Sequence, residues 1–390
     1  MSSTRAQPRN YRWTILGAGV FAQAAFSAIL LGLPAIAPAI QDRYALSLTQ
    51  VGVVLAALNI GSLATLLLWG IVADRIGERS VIAVGQVGTA AALVWAAYSS
   101  SFTHLVAALS VAGALGAGVN AASGRAVMAW FGEEERGLAL GIRQMATPLG
   151  GAVAAVALPA LDRHISLHAA FDGLAAACIA AAVVGAALVR AEPAEDHSVL
   201  ARPLRDPRVW RICIASTFYV ATQISLLGFF VLFLHGHRGV STGVAAGALA
   251  VTQVCGGIAR IAVGRLSDRV RMRIVPLRWI ALGLALTVGV TAALMDAAVW
   301  ILVAALVVAG TFGLSWNGLS FAAAAEAAGR ARSGAAIGLQ QTFLAGSAIV
   351  APIVFATVVH HASWRLAFVL AALSPLVGYA LLSPLAERRP

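Results

Sequence analysis

The sequence predicts an all-α membrane protein with twelve transmembrane helices in two pseudo-symmetric six-helix bundles. Its composition is 60% hydrophobic and 11% charged, whereas a soluble domain carries about 25% charged residues. Long apolar runs alternate with short polar turns. The turn at 70–79 has a counterpart at 264–269, so that a chain of 390 residues contains two similar halves.

Further sequence matches between the halves keep nearly the same spacing. Because self-similarity at a fixed offset is typical of a duplicated architecture, we interpret the repeat as structural. The matched positions are Ser47 with Ser241, the stretch 137–144 with 334–341, and Ser166 with Ser363. Both Ser47 and Ser241 precede an apolar run and are predicted to be helix N-caps.

Each half contributes six apolar runs that can cross a hydrocarbon core of about 30 Å. In the first half the predicted spans are 13–40, 48–72, 80–99, 104–130, 138–161 and 169–189. In the second half they are 209–234, 242–264, 277–295, 299–325, 335–359 and 366–382. The predicted domains are 1–190 and 209–390, joined by a cytoplasmic linker at 191–208.

The distribution of basic residues predicts the orientation. The chain carries a net charge of +11 and its 27 basic residues are all arginines. They punctuate the apolar runs instead of gathering on a soluble face, which argues against a nucleic-acid binder. Most lie in loops on the side of the N terminus, which predicts a bacterial inner-membrane protein with both termini in the cytoplasm. The opposite loops hold only Arg43, Arg163, Arg238 and Arg365.

Arg260 is the leading candidate for binding a substrate. It lies eight residues before Asp268, about 12 Å along a helix and therefore near the middle of the membrane. The matching position of the first half is Leu66, so the charge is present in one half only. Gln253 shares its helix face, with Gly256 and Gly257 expected to clear space between them. Ionisable groups at this depth are functional candidates by default, and an arginine fork suits a carboxylate.

Two alternatives remain open for the polar residues in the spans. Arg260 can instead be a cytoplasmic-gate residue held by Asp268 or by carbonyls at a helix C terminus. Arg143 can line the cavity or belong to the gate, and any single polar residue can serve helix packing. The remaining substrate-binding candidates are Gln23, Asn120, Arg143, Gln144, Tyr219, Gln223, Trp316, Asn317, Gln340 and Gln341.

The repeated turn resembles the signature of the major facilitator superfamily. Gly70, Asp74, Arg75, Gly77 and Arg79 match its pattern, and the second copy retains a glycine and an Asp-Arg pair at 264–269. The resemblance implies the major facilitator fold. The spacing of the membrane arginine before the second copy is similar to that of monocarboxylate and oxalate/formate-type porters, where such an arginine pairs with a substrate carboxylate.

Such a turn can act as a gate on the cytoplasmic side. A carboxylate there can lie against the positive N-terminal end of a helix from the other half and against nearby arginines. The alternative is that the turn merely stops two membrane helices. The predicted gate residues are Asp74, Arg75, Arg79, Arg125, Arg136, Asp268 and Arg269.

The expected function is secondary transport of a small organic anion, with a carboxylate preferred, by alternating access of the two bundles. The alternative is a proton-coupled efflux antiporter for drugs or metabolites. A more distant alternative is a membrane sensor, which would need an appended soluble domain. We expect no enzymatic activity, no cofactor and no metal, and a monomer in the lipid bilayer; proton coupling is left open.

Overall fold

The computed structural model describes residues 10–131, 133–190, 206–328 and 333–385. All regular secondary structure in this part of the chain is helical. Before the predicted linker lie α1 (Tyr11–Gly32), α2 (Ala37–Tyr44), α3 (Leu48–Ala97), α4 (Phe102–Trp130), α5 (Glu133–His164) and α6 (Leu167–Leu188). After it lie α7 (Pro207–Gly228), α8 (Phe230–Leu232), α9 (Thr242–Val270), α10 (Ile274–Ala293), α11 (Val299–Ser315), α12 (Asn317–Ala328), α13 (Ser333–His361) and α14 (Trp364–Leu382).

The number of membrane-length helices agrees with the predicted twelve. Eleven helical segments of the described chain are long and apolar enough to cross a membrane. A twelfth is obtained if Pro207–Gly228 and Phe230–His237, which meet at 45°, form one bent span. Helix α3 contains two spans, and α11 and α12 together form one broken span. The predicted division at 191–208 stays a prediction, because 191–205 lie outside the described residues.

Four serines begin corresponding helices in the two halves. The Oγ of each accepts a hydrogen bond from the backbone N–H three residues later, at 3.1–3.4 Å. Such a cap satisfies one of the backbone donors left free at a helix start. The predicted N-caps are thereby confirmed, and the structure extends them to the second matched pair: Ser47 with Ser241, and Ser166 with Ser363.

The two signature turns reverse the chain differently. Gly77 interrupts α3 with φ 75° and ψ 165°, a backbone region that is essentially reserved for glycine. Its repeat partner, Arg271, ends α9 in the left-handed region with φ 51° and ψ 37°. The Arg271 N–H then donates to carbonyl oxygens in the last turn of α9. The left-handed region of Arg271 is small but allowed for a residue with a Cβ, unlike the conformation of Gly77, so the second copy can depart from the glycine of the first.

The two halves meet at the end of the molecule where α5 ends and α9 begins, which we call the opposite end. A Cβ placed on Gly52 of α3 would lie 2.7 Å from the carbonyl oxygen of Pro352 in α13. A Cβ on Gly243 of α9 would lie 3.6 Å from the Arg163 guanidinium of α5. Toward the arginine-rich end, where α9 ends, a Cβ on Gly264 would meet open space.

Candidate functional site

Three helices, α1, α5 and α9, pack in register through the middle of the molecule. Helices α5 and α9 run antiparallel, and their contacts are spaced one turn apart. The paired positions are Gly151 with Gln253, Pro148 with Gly257, and Gln144 with Arg260. A Cβ placed on Gly151 would lie 3.0 Å from Gln253 Nε2, and one placed on Gly257 would lie 3.3 Å from Pro148 Cγ. The Gln144 carbonyl oxygen lies 3.4 Å from Arg260 Nη1. We call this three-helix contact, with Gln23, Ser27 and Leu31 of α1 and Thr147 of α5, the central seam.

Arg260 lies at the end of the central seam that is nearer the arginine-rich end, and it contacts both halves. Its Nε and Nη2 donate to the carbonyl oxygen of Leu314 at 3.2 and 3.1 Å. Its Nη2 also donates to Asn317 Oδ1 at 3.3 Å, and its Nη1 donates to the Gln144 carbonyl at 3.4 Å. These acceptors are all neutral, and no carboxylate of the described residues forms an ion pair with Arg260.

Both carbonyls that Arg260 contacts lack a helical donor. Pro148 has no N–H, so the carbonyl four residues earlier, that of Gln144, loses its hydrogen bond. Leu314 lies in the last turn of α11, just before the break between α11 and α12, and carbonyls at a helix end have no partner within the helix. Arg260 therefore caps one free carbonyl from each half of the chain.

A second proline also leaves the carbonyl four residues earlier without a helical donor, and a neutral side chain binds that carbonyl. Pro375 lies inside α14 and frees the carbonyl of Ala371, which accepts a hydrogen bond from the Thr222 hydroxyl at 2.7 Å. At α5 the carbonyl freed by proline is served by a full positive charge from the other half. The Arg260 contact is thus more than backbone satisfaction requires, since a hydroxyl is sufficient elsewhere.

The structure corrects one expectation about the surroundings of Arg260. The glycines beside it do not clear space: a Cβ on Gly256 would lie 2.4 Å from Leu314 Cδ1, and one on Gly257 would lie 3.0 Å from Met145 Cε. They allow α11 and α5 to approach α9 closely instead.

The gate alternative allows two kinds of partner for Arg260. Asp268 is not its partner here, because it lies too far along the helix and forms another ion pair. A carbonyl near a helix C terminus, that of Leu314, does accept from Arg260, so the gate alternative stays open.

Asp268 pairs within its own half. Its carboxylate accepts from Arg273 Nη1 at 2.6 Å, and Arg273 Nε also donates to Glu326 at 3.0 Å. Partial burial lowers the pKa of Arg273, but its hydrogen bonds and charge interactions with the two acids outweigh this and raise the pKa. The second signature turn is therefore tied to α12 in this structure, and its role as a gate stays a prediction.

Two further candidates of the central seam have unused hydrogen-bonding atoms. Gln253 is 0% exposed, and neither its Nε2 nor its Oε1 has a partner among the described residues. Gln23 Nε2 donates to Ser27 Oγ at 3.2 Å, and Ser27 donates to Thr147 Oγ1 at 3.4 Å, while Gln23 Oε1 has no described partner. These amides lie in the same seam as Arg260.

The candidates of the second half form a cluster beside the seam. Tyr219 packs edge-on against Trp316 with ring centroids 5.5 Å apart. Gln223 lies next to Gly313 of α11, and its Oε1 and the Trp316 Nε1 have no partner in the described chain. Gln340 is fully buried and donates to Ser216 and Ser320, while its Oε1 has no partner in the described chain. Its role in binding stays a prediction.

The other predicted site residues are placed less centrally or are not described. Arg143 is buried and donates from Nε to Ser123 Oγ of α4 at 3.0 Å, and its assignment to cavity or gate stays a prediction. Gln341 is partly buried. Arg79 and Arg269 are exposed at the arginine-rich end. The side chains that lie outside the described set are Asn120, Asp74, Arg75, Arg125 and Arg136.

Four parts of the site were not predicted from the sequence: the hydroxyls of Ser27 and Thr147 and the carbonyls of Gln144 and Leu314. One signal was available, because Pro148 four residues after Gln144 predicts a free carbonyl within a membrane helix. The serine and threonine give no such signal, since small hydroxyl residues are common in packed membrane helices.

Comparison with known proteins agrees with this architecture. Residues 15–352 match the family model of the Major Facilitator Superfamily. An MFS-type transporter of Mycobacterium tuberculosis (strain CDC 1551 / Oshkosh) is 32% identical over 376 residues, which cover 95% of this chain and 84% of that protein.

Two relatives are named for their substrates. The probable sulfoacetate transporter of Cupriavidus necator (strain ATCC 17699) is 25% identical over 281 residues, 66% of this chain and 65% of that protein. The hexuronate transporter of Bacillus subtilis (strain 168) is 31% identical over 123 residues, which cover 30% of this chain and 28% of that protein.

A solved structure has the same fold. It is the crystal structure of a bacterial homologue of the human lysosomal transporter Spinster, in an inward-facing and occupied conformation. It superposes with a TM-score of 0.81 at 15% identity and covers 96% of this chain and 97% of that one. Together with the family match over most of the sequence, this shows that the chain belongs to the major facilitator superfamily of membrane transporters.

Proposed function

We propose that the chain is a secondary active transporter that moves a small organic anion by alternating access and binds the acidic group at Arg260. The observation that carries the proposal is a partly buried guanidinium whose described partners are neutral. A charge held away from water without a counter-ion is unfavourable. A carboxylate supplies the missing negative charge and replaces neutral hydrogen bonds with stronger charge-assisted ones.

The position of Arg260 also supports a coupling between binding and movement. One of its acceptors, the Gln144 carbonyl, belongs to the first half, and the other two belong to the second half. An anion that takes over the guanidinium competes with the Gln144 contact across the halves. Ligand binding then changes the relative stability of the two access states, which is the requirement for a ligand-driven conformational change.

The names of two relatives support the substrate class. Sulfoacetate and hexuronate are both organic anions, and the proteins named for them match 281 and 123 residues of this chain. A carboxylate, or two of the three oxygens of a sulfonate, offers the oxygen pair that an arginine fork binds.

A thermal-shift screen of the purified protein tests the substrate class. We expect stabilisation by carboxylates or sulfonates and none by equal concentrations of organic cations. An anion at a hundred times its dissociation constant should stabilise the folded state by about 2.7 kcal/mol. Stabilisation by cationic or neutral drugs alone would favour an efflux antiporter over an anion carrier.

We further propose that both termini and the 191–208 linker lie in the cytoplasm, since the arginine distribution favours this orientation. A cysteine introduced at Ser101, at the start of α4, is expected to react with an impermeant maleimide in intact cells. A cysteine at Ser198 is expected to react only after permeabilisation. The protein without an introduced cysteine controls for Cys178, Cys213 and Cys255. Labelling of Ser198→Cys in intact cells would show that the proposed orientation is wrong.

A further inference from the structure

The central seam contains hydrogen-bonding groups that its own packing does not use. Along α9, Gln253 lies seven residues from Arg260, about 10.5 Å toward the opposite end. Between these levels lie the hydroxyls of Ser27 and Thr147, which are 3.4 Å apart. Gln23 adds a buried oxygen without a described partner. The seam is therefore a row of neutral polar groups that ends at one positive charge.

Gln253 is the most unfavourable of these groups if its role is structural. Its side chain is 0% exposed and both of its amide atoms are without a partner in the described chain. A buried polar atom without a partner is unfavourable, because it has lost its hydrogen bonds to water and gained none in the protein. A methionine or leucine of similar size would fill the same volume without that cost. A packing role alone does not explain why an amide occupies this position.

Contacts around Gln253 indicate when it becomes reachable. A Cβ on Gly151 would lie 3.0 Å from its Nε2 and 2.7 Å from Leu31 Cβ, so α5 and α1 cover the amide here. Separation of α5 from α9 at this level would expose the amide on the same face as Arg260. That separation accompanies opening of the opposite end in an alternating-access cycle.

We propose that Gln253 is a specificity-determining residue that hydrogen-bonds a hydroxyl of the substrate whose acidic group is bound at Arg260. The substrate is then a hydroxylated organic acid rather than a plain fatty acid. Ser27 and Thr147 lie beside the part of the substrate that connects its acidic group to the bound hydroxyl. This inference rests on the proposed function, because it places the anionic group at Arg260. An amide can both donate to a hydroxyl and accept from one, so it suits a substrate with several hydroxyls.

The test compares acids of equal carbon number with and without hydroxyls. Each acid is tested as an inhibitor of the uptake of the radiolabelled acid found by the thermal-shift screen. The pairs compared are gluconate with hexanoate and glycerate with propionate. The unaltered protein is expected to prefer the hydroxylated acid of each pair. Gln253→Met is expected to lose about ten-fold or more of that preference, since it removes one hydrogen bond to the substrate and leaves Arg260 intact. Gln253→Leu is the second variant.

A matched control is available in α3. Gln86 is also 0% exposed with an unpartnered Oε1, but its Nε2 donates to the Ala22 carbonyl at 2.7 Å. Gln86→Met is expected to leave the preference unchanged. A purely structural role for Gln253 would change thermal stability but not the ratio of the two acids.

The outcomes separate this inference from the proposed function. If hydroxylated and plain acids compete equally, or if both Gln253 variants keep the preference, the inference is wrong and the anion carrier stands. If no organic acid binds the unaltered protein, the proposed function itself is overturned, and the inference falls with it.

Discussion

Replacing Arg260 with alanine is expected to reduce anion transport by a factor on the order of 10² to 10³, because truncating one partner of a desolvated charge pair costs about 2–5 kcal/mol. Arg260→Lys is expected to retain a small part of the activity. Lysine keeps the charge but cannot form two parallel hydrogen bonds to a carboxylate. The measurement is the initial rate of uptake of a radiolabelled acid found by the thermal-shift screen, in vesicles with equal amounts of protein.

Arg265→Ala is the control for Arg260→Ala, because it removes the same charge from the same helix at an exposed position that is not among the predicted gate residues. We expect its uptake to stay within about two-fold of the unaltered protein, as is usual for surface substitutions. Uptake by Arg260→Ala at a similar level would show that the guanidinium is dispensable.

Replacing Gly52 with valine is expected to keep the opposite end open. A Cβ at this position would lie 2.7 Å from the Pro352 carbonyl oxygen and 3.3 Å from Ala356 Cβ. Overpacking of this kind costs about 1–3 kcal/mol, and only the closed state bears the cost. The equilibrium should shift by roughly 5- to 150-fold, with a comparable loss of transport.

The shift can be observed by labelling a cysteine at Leu55. This side chain is buried and would lie 3.3 Å from a Cβ on Gly228 of the other half. In the Gly52→Val background, Leu55→Cys is expected to react with an impermeant reagent more rapidly than in the unaltered background. Gly247→Val is the control, because a Cβ there meets open space. Equal reaction rates in all three backgrounds would show that α3 and α13 do not close this end.

Sequence patterns predict local features of this fold well. Apolar runs of membrane length predict the helices, since a span needs a fixed number of apolar residues. A serine before an apolar run predicts a cap, and Ser47, Ser166, Ser241 and Ser363 all have that role. These features depend on a few neighbouring residues, and tertiary packing does not change them.

The partners of Arg260 depend on long-range packing and could not be predicted in the same way. Its spacing from Asp268 indicates its depth in the membrane. Which carbonyls it caps is decided by how α5 and α11 approach α9, at sequence separations of 54 to 116 residues. The small side chains at 256 and 257 carry the information, but small residues are typical of both cavities and tight helix contacts. The expected open space was therefore a tight contact.

The gate shows a second limit of sequence patterns. Several arginines of its own half lie near Asp268 in the sequence, and the sequence does not show which of them, or which arginine of the first half, it pairs with. In this structure it pairs with Arg273, whose own partner Glu326 ties the turn to α12. An alternating-access protein has at least two arrangements of such contacts, and one amino-acid pattern serves both.

Binding measured separately from transport tests the central claim that Arg260 holds the anionic group. The measurement is the affinity of the stabilising acid for purified Arg260→Ala in detergent, by isothermal titration, beside the unaltered protein and Arg265→Ala. We expect Arg260→Ala to be folded, with a normal elution volume, and its affinity to fall by about 30-fold or more. Wild-type affinity in folded Arg260→Ala would show that Arg260 does not bind the anionic group. Its role would then be to hydrogen-bond the two halves to each other.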